Sequence, residues 1–248
     1  MKVATPGISM TLAGLSAGTS VWRVLPDADR VALAAARLMV EAAAEAIAQR
    51  GRFRLVLAGG RTPEAAYRLL AKETSDWDKW ELFCGDERCL PTNHAERNSQ
   101  MVERVLLSQL PFAADRVHLI AAEQGAEVAA ASYGRIIAAA VPFDLVLLGV
   151  GEDGHTASLF PGRPLDPEAW TVPVHDAPKP PPDRVSLGLK ALQNTRQLLV
   201  LATGISKREA LRGWRAGEEL PIARVCRDQV VTVLLDEASN PAFQAAFA

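Results

Sequence analysis

The chain is short of cysteine, carries almost no excess charge and has no long apolar run, and each shortage removes a class of protein. Its three cysteines, Cys84, Cys89 and Cys226, are too few and too unevenly spaced for a disulfide framework, so a reducing compartment, the cytoplasm, is expected. Cys84 and Cys89 with His94 do not have the spacing of a zinc site, and no fourth ligand is evident, so no metal is expected. A net charge of −2 gives no electrostatic ground for binding nucleic acid or an anionic membrane surface. A small anion held by local cations stays compatible with that total. No segment approaches the ~20 apolar residues of a spanning helix. Pro6, Gly7, Gly14 and Gly18 break up the first twenty residues, which read as a loosely ordered leader rather than a signal peptide, with Met10 a second candidate start.

What the chain does contain is ordinary for a globular protein: 49% of its 248 residues are hydrophobic and 23% charged, enough to bury a sizeable core. Residues 21–25 read as a first strand, and Asp27 as the N-cap of an alanine-rich helix that runs to Arg50 and stops at Gly51. Residues 53–58 are a buried strand running into Gly59-Gly60-Arg61-Thr62-Pro63, with a helix expected from Glu64 because proline suits a first helical position. Residues 145–150, apolar and rich in branched side chains, read as a strand buried on both faces of a parallel sheet. Further strands are expected at 80–84, 116–120, 184–189, 195–202 and 229–235, with 170–174 a weaker candidate. Helices are expected over 99–110, from 123 to about 141, and from about 206. Pro178 to Pro182 form a stiff surface loop or lid, and Trp77, Trp80, Trp170 and Trp214 read as packing residues. Strands alternate with helices and no repeat or linker divides them. The pattern predicts a single Rossmann-like, doubly wound α/β domain over residues 21–248 with a mostly parallel sheet.

In such sheets ligands bind beyond the carboxyl ends of the strands. Here four strands end in loops of one kind: GGRTP after Ala58, GDER after Cys84, GEDGH after Val150 and TGISK after Ala202. Each combines glycine with charge or hydroxyl. Gly59 to Thr62 at a helix start suits an anion, because free backbone N–H groups and the helix dipole face it there. The loop is neither a Walker loop nor a dinucleotide fingerprint. Gly149, Gly151 and Gly154 have the dinucleotide spacing, but Glu152 and Asp153 in that turn would repel a pyrophosphate. His155 beside these acids has the makings of a general base near neutral pH. Lys207 and Arg88 are candidate phosphate partners. His118 on a short strand and His175 in the proline-rich segment read as structural, while His94 in a polar loop is left open.

Taken in order, GGRTP, FCGDER at 83–88, LGVGEDGHTASLFPG at 148–162 and PPDRVSL at 181–187 resemble the 6-phosphogluconolactonases, relatives of the glucosamine-6-phosphate isomerases/deaminases. The resemblance spans about residues 55–207 and its specificity lies in the set. It implies a Rossmann-like domain, no organic cofactor, and hydrolysis of 6-phosphoglucono-δ-lactone in the oxidative pentose phosphate pathway. It further implies a phosphate held by Gly59, Gly60, Arg61 and Thr62, with Arg184 and Lys207 supplying charge. His155 would activate water with Asp153 orienting its ring, and Asp86 would act as a positioning acid. Arg88 would serve either the oxyanion or the phosphate. The isomerase/deaminase branch resembles DGHIAFNEP, with a glutamate seven residues beyond the aspartate. Counting seven from Asp153 reaches Phe160, which removes the acid that assists ring opening. A sugar-phosphate sensor is the distant alternative, and neither end carries the helix-turn-helix or basic stripe it would need. The expected partner is thus a sugar-phosphate lactone, with neither nucleic acid nor membrane, and the chain is expected to be a monomer or weak homo-oligomer.

Overall fold

Branched apolar runs with no polar alternation must be covered on both faces, and that requirement organises the molecule. The protein is described here by a computed structural model over residues 18–242. In chain order it contains β1 (Ser20–Leu25), α1 (Ala28–Arg50), β2 (Phe53–Leu57), α2 (Arg61–Leu70), β3 (Trp80–Cys84), β4 (Asp86–Arg88), α3 (Asn98–Val105), β5 (Val117–His118), α4 (Ala126–Ala140), β6 (Leu145–Gly149), β7 (Thr171–Val174), β8 (Arg184–Leu187), α5 (Leu189–Gln193), β9 (Leu198–Ala202), α6 (Arg208–Arg215), α7 (Pro221–Cys226) and β10 (Val231–Asp236). Seven strands form one sheet in the order β1-β10-β9-β6-β2-β3-β5. Every neighbouring pair in it is parallel. A second sheet, β4-β8-β7, is antiparallel. The expected leader lies, for residues 1–17, outside the described residues, and Ser20 already belongs to β1.

Alternation along the strands sorts the core. Leu55, Leu57, Leu145, Leu147, Leu199 and Leu201 face a cluster built with α1, α2 and α3. Val56, Val146, Leu148, Val200 and Val233 face the opposite cluster with α4, α5, α6 and α7. Each such side chain contributes ~1.5–3 kcal/mol by leaving water. Crossovers between parallel strands are right-handed, so the walk β2-β3-β5 toward one edge and β6-β9-β10 toward the other puts helices on opposite faces. Helix α1 begins and ends as its residues dictate. The Asp27 carboxylate accepts from the Arg30 amide at 2.8 Å, and Gly51 stops it at φ 74°. The tryptophans pack as expected: Trp80 is fully buried against Phe53 and Trp77, and Trp214 lies against Trp22. No helix among the described residues is long and apolar enough to cross a membrane.

Several boundaries differ from the sequence reading. Helix α2 starts at Arg61, not Glu64, so Pro63 is the third helical residue, where its missing N–H is one that no helix carbonyl could have accepted. Helix α3 ends at Val105, and the strands expected at 116–120 and 195–202 shrink to β5 and β9. Residues 205–207 form a short 3₁₀ turn before α6. The short α5 and α7 and the strand β4 had no expectation. Three residues are too few for periodicity to announce a strand, and β4 exists because β8 pairs with it.

Candidate active site

Adjacent strands β2 and β6 are where the chain reverses its direction across the sheet, and a crevice opens beyond their carboxyl ends. The cleft has a volume of about 340 Å³. Its wall takes Gly59 and Gly60 from the loop after β2, and Asp86 and Arg88 from the chain after β3. Val150, Gly151 and His155 follow β6, and Lys207 follows β9. These four loops leave four neighbouring strands, so they meet.

After β6 the chain folds into a tight turn, with the Gly151 amide donating to the His155 carbonyl at 2.8 Å. Within it the Asp153 carboxylate lies 2.5 Å from His155 Nδ1 and also accepts from the His155 amide. A carboxylate only accepts, so Nδ1 carries the proton and Nε2 of the neutral ring holds a lone pair. Nε2 has no partner among the described residues, and the imidazole is 20% exposed. Burial pushes the Asp153 carboxyl up, but the hydrogen bonds and charge of His155 outweigh it and hold it below the usual carboxylate range. Gly151 is required: a β-carbon there would stand 2.0 Å from His155 Nδ1. Phe160 packs on the imidazole with ring centroids 4.8 Å apart. Glu152 takes no part in the histidine pair and instead lies 3.4 Å from Lys179.

The GDER segment splits by strand alternation. Asp86 and Arg88 line the cleft while Glu87, fully buried, accepts the Asn98 and Ser99 amides at 2.8 Å and so caps α3. Asp86 is clamped: Ser158 Oγ donates to one carboxylate oxygen at 2.6 Å and Asn98 Nδ2 to the other at 2.9 Å. Burial raises its carboxyl above the ordinary range, against the hydrogen bond from Ser158 and the charges of Arg88 and Arg184. Arg88 and Arg184 stand opposite each other in the β4–β8 pairing.

Arg88, Lys179, Arg184 and Lys207 give the cleft its positive lining. Arg88 donates to the Glu96 carbonyl, and the buried Arg184 donates to the carbonyls of Lys179, Pro180 and Pro181 while lying over the Phe160 ring. Lys179 and Pro180, which line the cleft, are therefore held in place by Arg184 through the backbone carbonyls of this segment. Among the described residues none of Arg88, Arg184 and Lys207 has a carboxylate within ion-pair distance. Burial lowers the Lys207 ammonium from its ordinary value, opposed by the Glu152 charge. An anion beside it would reverse that.

Of the residues expected at the phosphate turn, Gly59 and Gly60 line the cleft, whereas the side chains of Arg61 and Thr62 do not. The Thr62 hydroxyl lies 2.7 Å from that of Thr203, tying the first loop to the fourth. What the turn offers instead is backbone. Gly60 at φ 106° opens α2 without a capping side chain, and the amides of Arg61 and Thr62 find no acceptor among the described residues. His94 lies outside the cleft, its Nδ1 accepting from the Glu96 amide. His118 and His175 do have acidic partners, Glu81 for the first and Asp183 with Glu127 for the second, brought from distant parts of the chain. Neither lines the cleft. The sequence reading passed over Asn98, Ser158 and Lys179, since a lone amide, hydroxyl or lysine carries no local signal.

Residues 26–234 match the family model for glucosamine-6-phosphate isomerases/6-phosphogluconolactonase. A 6-phosphogluconolactonase of Streptomyces coelicolor is 39% identical over 86% of this chain and 90% of its own length. The crystal structure of 6-phosphogluconolactonase from Thermotoga maritima superposes with a TM-score of 0.82 at 27% identity, covering 88% of this chain and all of that one. A monomeric glucosamine-6-phosphate deaminase superposes with a TM-score of 0.80 at 20% identity over 90% of this chain and all of the other, a likeness of fold alone. Sequence match, parallel sheet and the convergence of its loops agree, and the chain belongs to the glucosamine-6-phosphate isomerase/6-phosphogluconolactonase family.

Proposed function

We propose that this chain is a cytoplasmic 6-phosphogluconolactonase, hydrolysing 6-phosphoglucono-δ-lactone to 6-phosphogluconate in the oxidative pentose phosphate pathway. The observation that carries the reading is an oriented imidazole with a free Nε2, in the same cleft as cations without carboxylate partners. The substrate phosphate rests on the amides opening α2, with Arg184 and Lys207 supplying charge. Water attacks the lactone carbonyl while His155 Nε2 takes its proton, and Asp153 stabilises the imidazolium. Negative charge collects on the former carbonyl oxygen, where Arg88 is available to stabilise it. Collapse re-forms the carbonyl and breaks the bond to the ring oxygen, which leaves as an alcohol on taking the proton back from Nε2. No cofactor or metal is part of this proposal.

The isomerase/deaminase reading loses its ring-opening acid at Phe160, a buried ring packed on the imidazole. Purified protein offered freshly generated lactone should accelerate acid release over the spontaneous blank, and should release no ammonia from glucosamine 6-phosphate. Ammonia release without faster lactone opening overturns the lactonase reading in favour of the isomerase/deaminase one.

A further inference from the structure

The mechanism leaves Asn98 unused. This residue is only 7% exposed, yet it lines the cleft, and its carboxamide is oriented without ambiguity. Nδ2 has two acceptors, the Asp86 carboxylate oxygen at 2.9 Å and the Asp86 carbonyl at 3.1 Å. An oxygen in that place would face two oxygens, so the nitrogen must occupy it. The Asn98 amide is anchored as well, donating to Glu87 at 2.8 Å, so the side chain leaves a fixed point at the start of α3. The carboxamide lies against Gly59, Oδ1 nearest: a β-carbon there would stand 2.1 Å from Oδ1, 2.5 Å from Cγ and 2.7 Å from Nδ2, so only glycine leaves room for it. No donor among the described residues reaches Oδ1. A rigid, nearly buried acceptor between the phosphate turn and Asp86, with nothing bonded to it, is built to accept a hydrogen bond from what enters the cleft.

We infer that Asn98 is a specificity residue that accepts a hydrogen bond from one ring hydroxyl of the sugar lactone through Oδ1 while Nδ2 holds Asp86 in place. The inference rests on the lactonase reading. Near neutral pH the phosphate is mostly a dianion, with no proton to give, and the reacting carbonyl has none, so the ring hydroxyls are the substrate groups that an acceptor can read. Because Asn98 is held at both its amide and its Nδ2, the acceptor does not reorganise on binding, and losing the matching hydroxyl leaves it unpaired.

The test crosses enzyme with substrate. Wild type and Asn98→Ala are each assayed on 6-phosphogluconolactone and on its 2-, 3- and 4-deoxy analogues, all against spontaneous opening. One analogue should lose about tenfold or more in kcat/KM with the wild type. For that analogue alone the ratio to the parent lactone should approach one in Asn98→Ala. Should Asn98→Ala not fold, Asn98→Asp serves. It keeps an acceptor toward the cleft, so the hydroxyl preference should persist. Its kcat should fall, and recover relative to wild type as pH falls and the introduced carboxyl shares a proton with Asp86. A wild type indifferent to all three deletions, or the same preference in Asn98→Ala as in wild type, overturns the inference. Absence of acceleration on the parent lactone by wild type is a different result and overturns the lactonase reading instead.

Discussion

The two ends of the main sheet both gather arginines and treat them in opposite ways. At the amino ends of β2 and β6, Asp144 accepts from Arg50 Nε at 2.9 Å and from the Arg54 amide at 2.8 Å, with Arg196 3.5 Å away. Arg54 completes the set through Glu81 at 2.8 Å and the Ala140 carbonyl. Each cation there has its anion within the protein. At the carboxyl ends, Arg88 and Arg184 are tied to carbonyls, and none of Arg88, Arg184 and Lys207 has a carboxylate within ion-pair distance among the described residues. Burying cations without anions weakens a fold, and the natural reading of that cost is a missing anionic ligand. Structural charge is recognised by its pairing and binding charge by the lack of it.

Substitutions at the two ends should therefore separate, and the largest effect belongs to the cleft. His155→Asn should slow lactone opening by ~10²–10⁴-fold while leaving Tm unchanged. An active variant would move the base to another group, with Asp86 next in line. Lys207→Ala should raise KM roughly ten- to hundredfold with a smaller change in kcat, the expected loss of one charged contact to phosphate. An unchanged KM takes Lys207 out of the site. At the opposite end, Asp144→Ala should do the reverse: kcat/KM as in wild type, and stability lower by about 2 kcal/mol, or roughly 4–8 °C in Tm. Lost activity with Tm intact would break the contrast between the two ends.

The smallest effect concerns His175, which joins α4 to the loop before β8 through Asp183 and Glu127. Hydrogen bonds to Asp183 and then Glu127 raise its imidazole above the ordinary value. With the folded value above the unfolded one, the stabilisation is complete below about pH 6.5, provided the two acids are ionised, and is lost as pH rises through the raised value. Exposure of all three side chains to solvent keeps it small. His175→Gln should lower Tm by about 1 °C near pH 6 and leave it unchanged near pH 9, as thermal melts across that range would reveal.

Much of this was legible one residue at a time. Asp27 and Gly51 bracket α1 as expected, β3 spans the residues foreseen for it, and the four glycine-bearing loops do line one cleft. The pairing of Asp153 with His155 spans two residues, a distance over which local geometry acts, and so it could be expected from order alone. The acidic partners of His118 and His175 lie 37, 48 and 8 residues away, and nothing local announces them.

Amino-acid order alone determined the parallel α/β arrangement, because unbroken branched runs can be covered only by helices on both faces. It also marked the loops that line the cleft, through glycine and charge placed directly after those runs. Tertiary structure decided which of these groups share one cleft. It left the first loop to line the cleft with its glycines by opening α2 at Arg61, folded the proline segment onto Arg184, and set Asn98 and Ser158 on Asp86. These outcomes depend on strand order and on pairing between β4 and β8, which bring together residues far apart in the chain and which no local pattern encodes.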